Sequence, residues 1–204
     1  QAGVAAFLID APLEKIKGKS TKFRGNLQID PENLMATRGR VSVDLADLMT
    51  ETFSDASKNA KQTEHAHNWL QLGADVPANE RSENQWVHFT IRAITSASAA
   101  KLTDVTEKDG KRVVTLEAEG DVWLHGVAAP KKVKLMAEFF GAPAMPTKLH
   151  VTSERPLLVS LKQHDIKPRD VVGKFLDGAL EKVGKKIDDT VQISIELSAG
   201  TNPS

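Results

Sequence analysis

The segment GDVWLHGVAAPKKVKLMAEFF, Gly120 to Phe140, decides how this chain is read. In its first run Val122 and Leu124 alternate with Asp121 and Trp123; in its second Val133, Leu135, Ala137 and Phe139 alternate with Lys134, Met136 and Glu138. A period of two sends successive side chains to opposite faces, which is the pattern of a half-buried strand. Gly126 supplies a turn between the runs, and Pro130 lacks the backbone donor of a ladder residue. The segment therefore predicts two strands folded back on each other.

The same pattern extends in both directions. Alternating runs at Val4–Asp10, Thr21–Asp30, Gly39–Leu45, Trp86–Ser96, Arg112–His125, Lys132–Phe140, Lys148–Leu161 and Thr190–Ala199 give eight predicted strands. Asp30-Pro31, Asp109-Gly110 and the stretch from Gly141 to Pro146 punctuate them with turn chemistry. Two segments follow a helical period instead. Ser54–Leu72 offers a Ser N-cap and a weak stripe of Ala56, Ala60, Thr63, His67 and Leu70. Lys167–Val183 sets Val172, Phe175, Leu176, Ala179, Leu180 and Val183 on one face behind Pro168, and such a stripe ordinarily packs on a neighbouring sheet.

With 204 residues and no internal repeat, the chain reads as a single domain, 1–204, large enough to bury a core without covalent staples. It contains no cysteine, which excludes thiolate chemistry and Cys-ligated zinc. The 27 basic and 27 acidic side chains cancel, so no global field favours nucleic acid, and none is expected as a partner. No apolar run approaches the roughly 18 residues of a membrane helix. The chain opens on Gln1 where an intact reading frame would open on Met, which suits a trimmed signal peptide or an engineered start.

Antiparallel strands in this number, with two helical insertions, form a barrel or a sandwich, and closure is the simplest way to remove sheet edges. A barrel of about eight strands has an interior that side chains fill or that holds one small ligand.

Five features in order resemble the YceI-like family. They are FRGNLQIDPENL (Phe23 to Leu34), GRVSVDLADL after it, TEHAHNWL in the first helix, WVHFTIRAI as the next strand, and the GDVWLHGVAAPKKVKL hairpin. The last strand, DDTVQISIELSAG, continues the likeness. The close histidine-to-aromatic spacing in EHAHNW, the insertion from Gly73 to Asn84 and the Lys167–Val183 helix depart from the family pattern. The resemblance implies an eight-stranded antiparallel lipocalin-like barrel, an exported or periplasmic location, and binding of a polyisoprenoid, isoprenoid quinone or fatty-acid derivative rather than catalysis. It implies no catalytic cofactor. A homodimer and transient membrane contact are compatible with it.

If the barrel is hollow, inward residues line an apolar tube. Phe89, Ile91, Leu116, Leu135 and Phe139 are the strand residues expected to meet the guest, together with Trp69 on the helix and Trp123 beside the hairpin. Which strand face points inward stays open, and a filled barrel working through its surface is the competing reading. Tryptophan suits a wet rim, so Trp69, Trp86 and Trp123 read as rim contacts or as plugs.

Other chemistry finds less support. His65 and His67 stand two apart on a helix and so point to nearly opposite sides, which argues against a metal shared with His88 or His125. Ser160, His164 and Asp165 in SLKQHD lack a nucleophile elbow. GKST at Gly18–Thr21 has Leu13 where a phosphate loop needs glycine. The basic cluster Lys131–Lys134 reads as a solvated strand start.

Overall fold

His125 and Gly126 both take positive φ, 51° and 75°, and they connect the two longest strands of the molecule directly. A two-residue turn with positive φ at both positions carries the right-handed twist of paired strands, and glycine meets that demand without strain. The computed structural model describes residues 2–10, 15–166 and 189–200. Its elements are β1 (Ala2–Asp10), β2 (Lys15–Ser20), β3 (Phe23–Gln28), β4 (Arg38–Asp44), β5 (Met49–Thr50), α1 (Ala56–Trp69), α2 (Ala78–Asn84), β6 (Trp86–Ala97), β7 (Lys111–Leu124), β8 (Val127–Ala142), β9 (Met145–Ser153), β10 (Leu157–Ser160) and β11 (Thr190–Gly200).

All described pairings are antiparallel, and one sheet runs β3-β4-β6-β7-β8-β9-β11-β1-β2-β5, with β10 added on β11. The predicted class stands: mainly β, antiparallel, barrel-like, with helices. The strand count does not, since eleven strands are present among the described residues where eight were expected. Lys148–Leu161 divides into β9 and β10 around Arg155-Pro156, which cannot continue a ladder. The other two additions, β2 and β5, are short.

KIKGKS of β2 carries little strand signal in the sequence because its inward face holds only Ile16, Gly18 and Ser20 between outward lysines. Gly18 faces Phe7 across the β1–β2 pair, and a Cβ there would lie 2.3 Å from the Phe7 ring. The aromatic ring of one strand lies over the missing side chain of the next.

Pro130, expected to break the chain, lies inside β8 opposite Asp121. The strand tolerates it because β8 meets β9 only from Leu135 onward, so at Pro130 its second edge carries no β9 partner.

The sheet curls into a half-barrel, and its described hydrogen-bond ladder ends at β3 and β5. Side chains and connections tie the seam. Ser20 Oγ donates to the Asp44 carbonyl at 2.7 Å, Asp44 N donates to the Lys22 carbonyl at 2.9 Å, and Asp47 accepts from both the amide and the hydroxyl of Thr21 at 2.9 Å. These bonds hold the Asp47 carboxyl below its ordinary pKa, the Thr21 amide first among them.

The first predicted helix forms as α1, with Asp55 instead of Ser54 as its N-cap, accepting from the amides of Ser57 and Lys58. The insertion before the fourth predicted strand contains α2, which periodicity did not reveal. The predicted helix at Lys167–Val183 lies outside the described residues.

Inside the curl, β7 turns Val114, Leu116, Ala118, Val122 and Leu124 inward, and β8 answers with Ala129, Val133, Leu135, Ala137 and Phe139. Leu34 and Leu102, both fully buried, belong to the same apolar cluster. Burial of this stripe, at about 25 cal/mol per Å² of apolar surface, is what favours the curled sheet over a flat one.

Candidate functional site: an apolar cavity beneath α1

The curled sheet encloses a cavity of about 220 Å³. Every strand except β5 contributes side chains to its wall, and α1 adds Gln62, Ala66, Trp69 and Leu70. Those four residues fall at i, i+4, i+7 and i+8, one face of a helix. Apart from the tryptophan indole, polar side chains enter the described lining only at Ser20, Thr37, Gln62 and His88, and no Asp, Glu, Lys or Arg does.

The cavity explains a feature of the burial pattern. Phe7, Phe89, Leu135 and Ile193 line it and pack on the core, yet they remain only partly buried. In a filled barrel, inward side chains of this size would be covered by their neighbours. Here they keep accessible surface, while other wall residues such as Phe139 and Val159 are buried, as are Val114 and Ala118 outside the lining.

Polar bonds, rather than a buried apolar face, hold α1 over this space, for no residue of the helix is fully buried. Thr50 donates its amide to Thr63 Oγ1 at 2.9 Å and its hydroxyl to the Asn59 carbonyl at 2.8 Å. The Asn59 side chain clasps Phe53, accepting from its amide and donating to its carbonyl at 2.9 and 2.8 Å. The anchoring residues Asn59 and Thr63 lie on the N-terminal turns of the same face that, one to three turns on, lines the cavity, so the anchors hold that face inward.

Six of the residues singled out from the sequence meet in this lining: Trp69, Phe89, Ile91, Leu116, Leu135 and Phe139. Trp123 does not. It is 45% exposed on the outer face of β7, between inward Val122 and Leu124, and the alternation that turns those two inward necessarily turns Trp123 out. Trp86 is half-buried away from the lining, with the Arg24 guanidinium stacked 3.6 Å from its ring. Reading the three tryptophans as one rim is therefore corrected to a single cavity tryptophan, Trp69.

The lining residues that the sequence reading missed come from nearly every strand, and among them Ile9, Ile16, Val151 and Val191 belong to β1, β2, β9 and β11. Where the period of two was visible, nothing in it ranks a wall residue above an ordinary core residue.

The histidines occupy separate places. His88 Nδ1 is 2.7 Å from Ser42 Oγ, and burial, then the charges of Arg40 and Arg24, push its pKa down. His150 Nδ1 lies 2.9 Å from Ser198 Oγ. His125 forms the hairpin turn. Among the described residues, no three metal-ligating side chains converge.

Ser160, His164 and Asp165 do not converge either. Ser160 Oγ donates to Asp189 at 2.5 Å, whereas His164, fully buried, points Nδ1 at the carbonyls of Leu124 and Val127, 3.1 Å from each. His164 thus braces the His125-Gly126 turn. Within the basic cluster Lys132 pairs with Glu119 across the hairpin, and the carboxylate holds the lysine pKa above its ordinary value.

A mainly antiparallel half-barrel enclosing an apolar cavity is the architecture of a lipocalin-like protein. The model of the YceI-like domain matches residues 4–199, and the chain belongs to that family. Among solved structures it is similar to BcnA of Burkholderia cenocepacia, at 14% identity and a TM-score of 0.61 over 97% of this chain and 96% of that one. It is equally similar to a polyisoprenoid binding domain from Saccharophagus degradans implicated in plant cell wall breakdown, at 13% identity and a TM-score of 0.61 over 98% and 94%. No curated protein sequence matches the chain significantly. Among the described residues, no helix is long and apolar enough to cross a membrane.

Proposed function

We propose that this protein binds a long apolar lipid, a polyisoprenoid, an isoprenoid quinone or a fatty-acid derivative, within its half-barrel, and that it serves as a carrier, store or sensor of that lipid in the periplasm. The observation that carries the reading is the cavity itself: about 220 Å³, walled by apolar side chains and without a charged one in its described lining. An apolar cavity of about 150 Å³ suffices to stay dry and bind benzene. On that scale about 220 Å³ holds about nine hydrocarbon carbons, and burying them at roughly 0.8 kcal/mol each yields about 7 kcal/mol. Association opposes this by about 4 to 15 kcal/mol, together with the ordering of a flexible chain. Apolar burial within the cavity is thus of the same order as that cost.

The polyisoprenoid binding domain that shares the fold supports the reading by its name. Membership of the YceI-like family supports a binding role over a catalytic one and an exported location. In this reading residues 1–204 act as one lipid-binding unit, and loading from a bilayer requires only transient contact with it. The test is organic extraction of protein purified from its natural host, followed by mass spectrometry of what co-purifies. A near-stoichiometric prenyl or acyl species is expected. An empty extract, reproduced under mild purification, refutes the proposal and favours a barrel that works through its surface.

A further inference from the structure

Three buried polar atoms in the cavity lining find no hydrogen-bond partner within the protein: Thr37 Oγ1, Gln62 Oε1 and Trp69 Nε1. Two of them belong to α1, two turns apart on the face that covers the cavity, with the small Ala66 between them. An unsatisfied buried donor or acceptor is costly, so neither group is neutral toward what occupies the space beside it. Their chemistry is complementary. The Trp69 indole can only donate, and the Gln62 carbonyl oxygen can only accept. A hydroxyl does both.

We infer that the underside of α1 is the head-group subsite of the cavity and that it selects a neutral, hydroxyl-terminated lipid, whose hydroxyl accepts from Trp69 Nε1 or donates to Gln62 Oε1. The inference rests on the lipid-binding reading above and narrows it. A phosphate or carboxylate head is disfavoured there, because the described lining offers no cation to pair with a desolvated anion. A bare hydrocarbon leaves both groups of the helix unpaired. Thr37, at the entry to β4, carries the remaining unpartnered atom, and it stands apart from α1 in the chain.

The experiment equilibrates the intact protein with an equimolar mixture of geranylgeraniol, its monophosphate and the corresponding hydrocarbon. The protein is then repurified and the ratio of bound lipids is read by mass spectrometry. Because the readout is a ratio, it does not depend on the fraction of protein that is folded. The wild type is expected to enrich the alcohol about tenfold over each competitor, as one or two buried hydrogen bonds provide. Trp69→Phe or Gln62→Met, whichever residue holds the hydroxyl, should reduce the enrichment over hydrocarbon several-fold while hydrocarbon uptake persists, and Trp123→Phe, outside the lining, should leave it intact. Equal uptake of alcohol and hydrocarbon by the wild type overturns the head-group inference and leaves the lipid-binding reading standing. Loss of preference in Trp123→Phe, or its full retention in both α1 variants, also overturns the inference by moving the head group elsewhere. Uptake of none of the three lipids refutes the binding reading itself.

Discussion

Replacing Leu135 by tryptophan separates a cavity wall from a packed core, because Leu135 faces the cavity and remains partly buried while Val114, on the neighbouring strand, is fully buried outside the lining. The larger side chain adds about six heavy atoms to the cavity, so a guest surrenders about five or six methylene contacts at roughly 0.8 kcal/mol each. That sums to about 4 kcal/mol, or about a thousandfold in affinity. The added indole meets open space rather than packed atoms, so stability in urea should stay within about 1 kcal/mol of the wild type. Val114→Trp has no such space and should lose about 1 to 3 kcal/mol or more. Extraction with mass spectrometry measures bound lipid, and urea denaturation of the same preparations measures stability. Should Leu135→Trp retain its full complement of lipid, or should it unfold as readily as Val114→Trp, the account of Leu135 as cavity wall is wrong.

Three further expectations follow from the same structure. Burial lowers the pKa of His164 below its ordinary 6.5, more than its bonds to Leu124 and Val127 raise it. The unfolded chain then binds the extra proton, so stability is full above about pH 6.5 and declines as pH falls below it. The urea midpoint should drop on acidification from neutrality, with His88 adding in the same direction, and His164→Gln should flatten the decline. Thr50→Val removes a buried hydroxyl that holds α1, and it should destabilise by about 1 to 3 kcal/mol and speed hydrogen exchange across Ala56–Trp69. Trp123→Ala should leave lipid uptake at the wild-type level, since that ring stands outside the cavity; a marked loss in the extraction assay would contradict the outward assignment.

Much of the fold was legible because the period of two is a local property. Val122, Leu124, Val133, Leu135, Ala137 and Phe139 announce their strands, and the two residues between those strands demand a tight turn. Legibility failed where side-chain pattern and backbone role part company. β2 shows little hydrophobic alternation because Gly18 yields its place to Phe7 of another strand. Pro130 reads as a breaker, yet it lies in a strand whose second edge lacks a β9 partner at that point. Such partners belong to distant sequence, so no local window contains them.

The candidate site divides in the same way. Six of the residues singled out lie in the cavity wall, but Trp123 shows the limit of ranking by residue type, since alternation with Val122 and Leu124 already set it on the other face. The functional importance of Gln62 carried no signal at all, because a glutamine on a weakly amphipathic helix reads as solvated surface.

By itself, then, the sequence determined the mainly β class, the hairpin at its centre and the family resemblance, since these depend on side-chain alternation, turn chemistry and the order of motifs along the chain. Only the tertiary structure decided that the interior is hollow, that α1 lies across it and that Trp69 rather than Trp123 reaches it. A cavity is the space left between strands remote in sequence, and its size depends on how far the sheet curls. The same valines, leucines and phenylalanines would compose either a wall or a filled core.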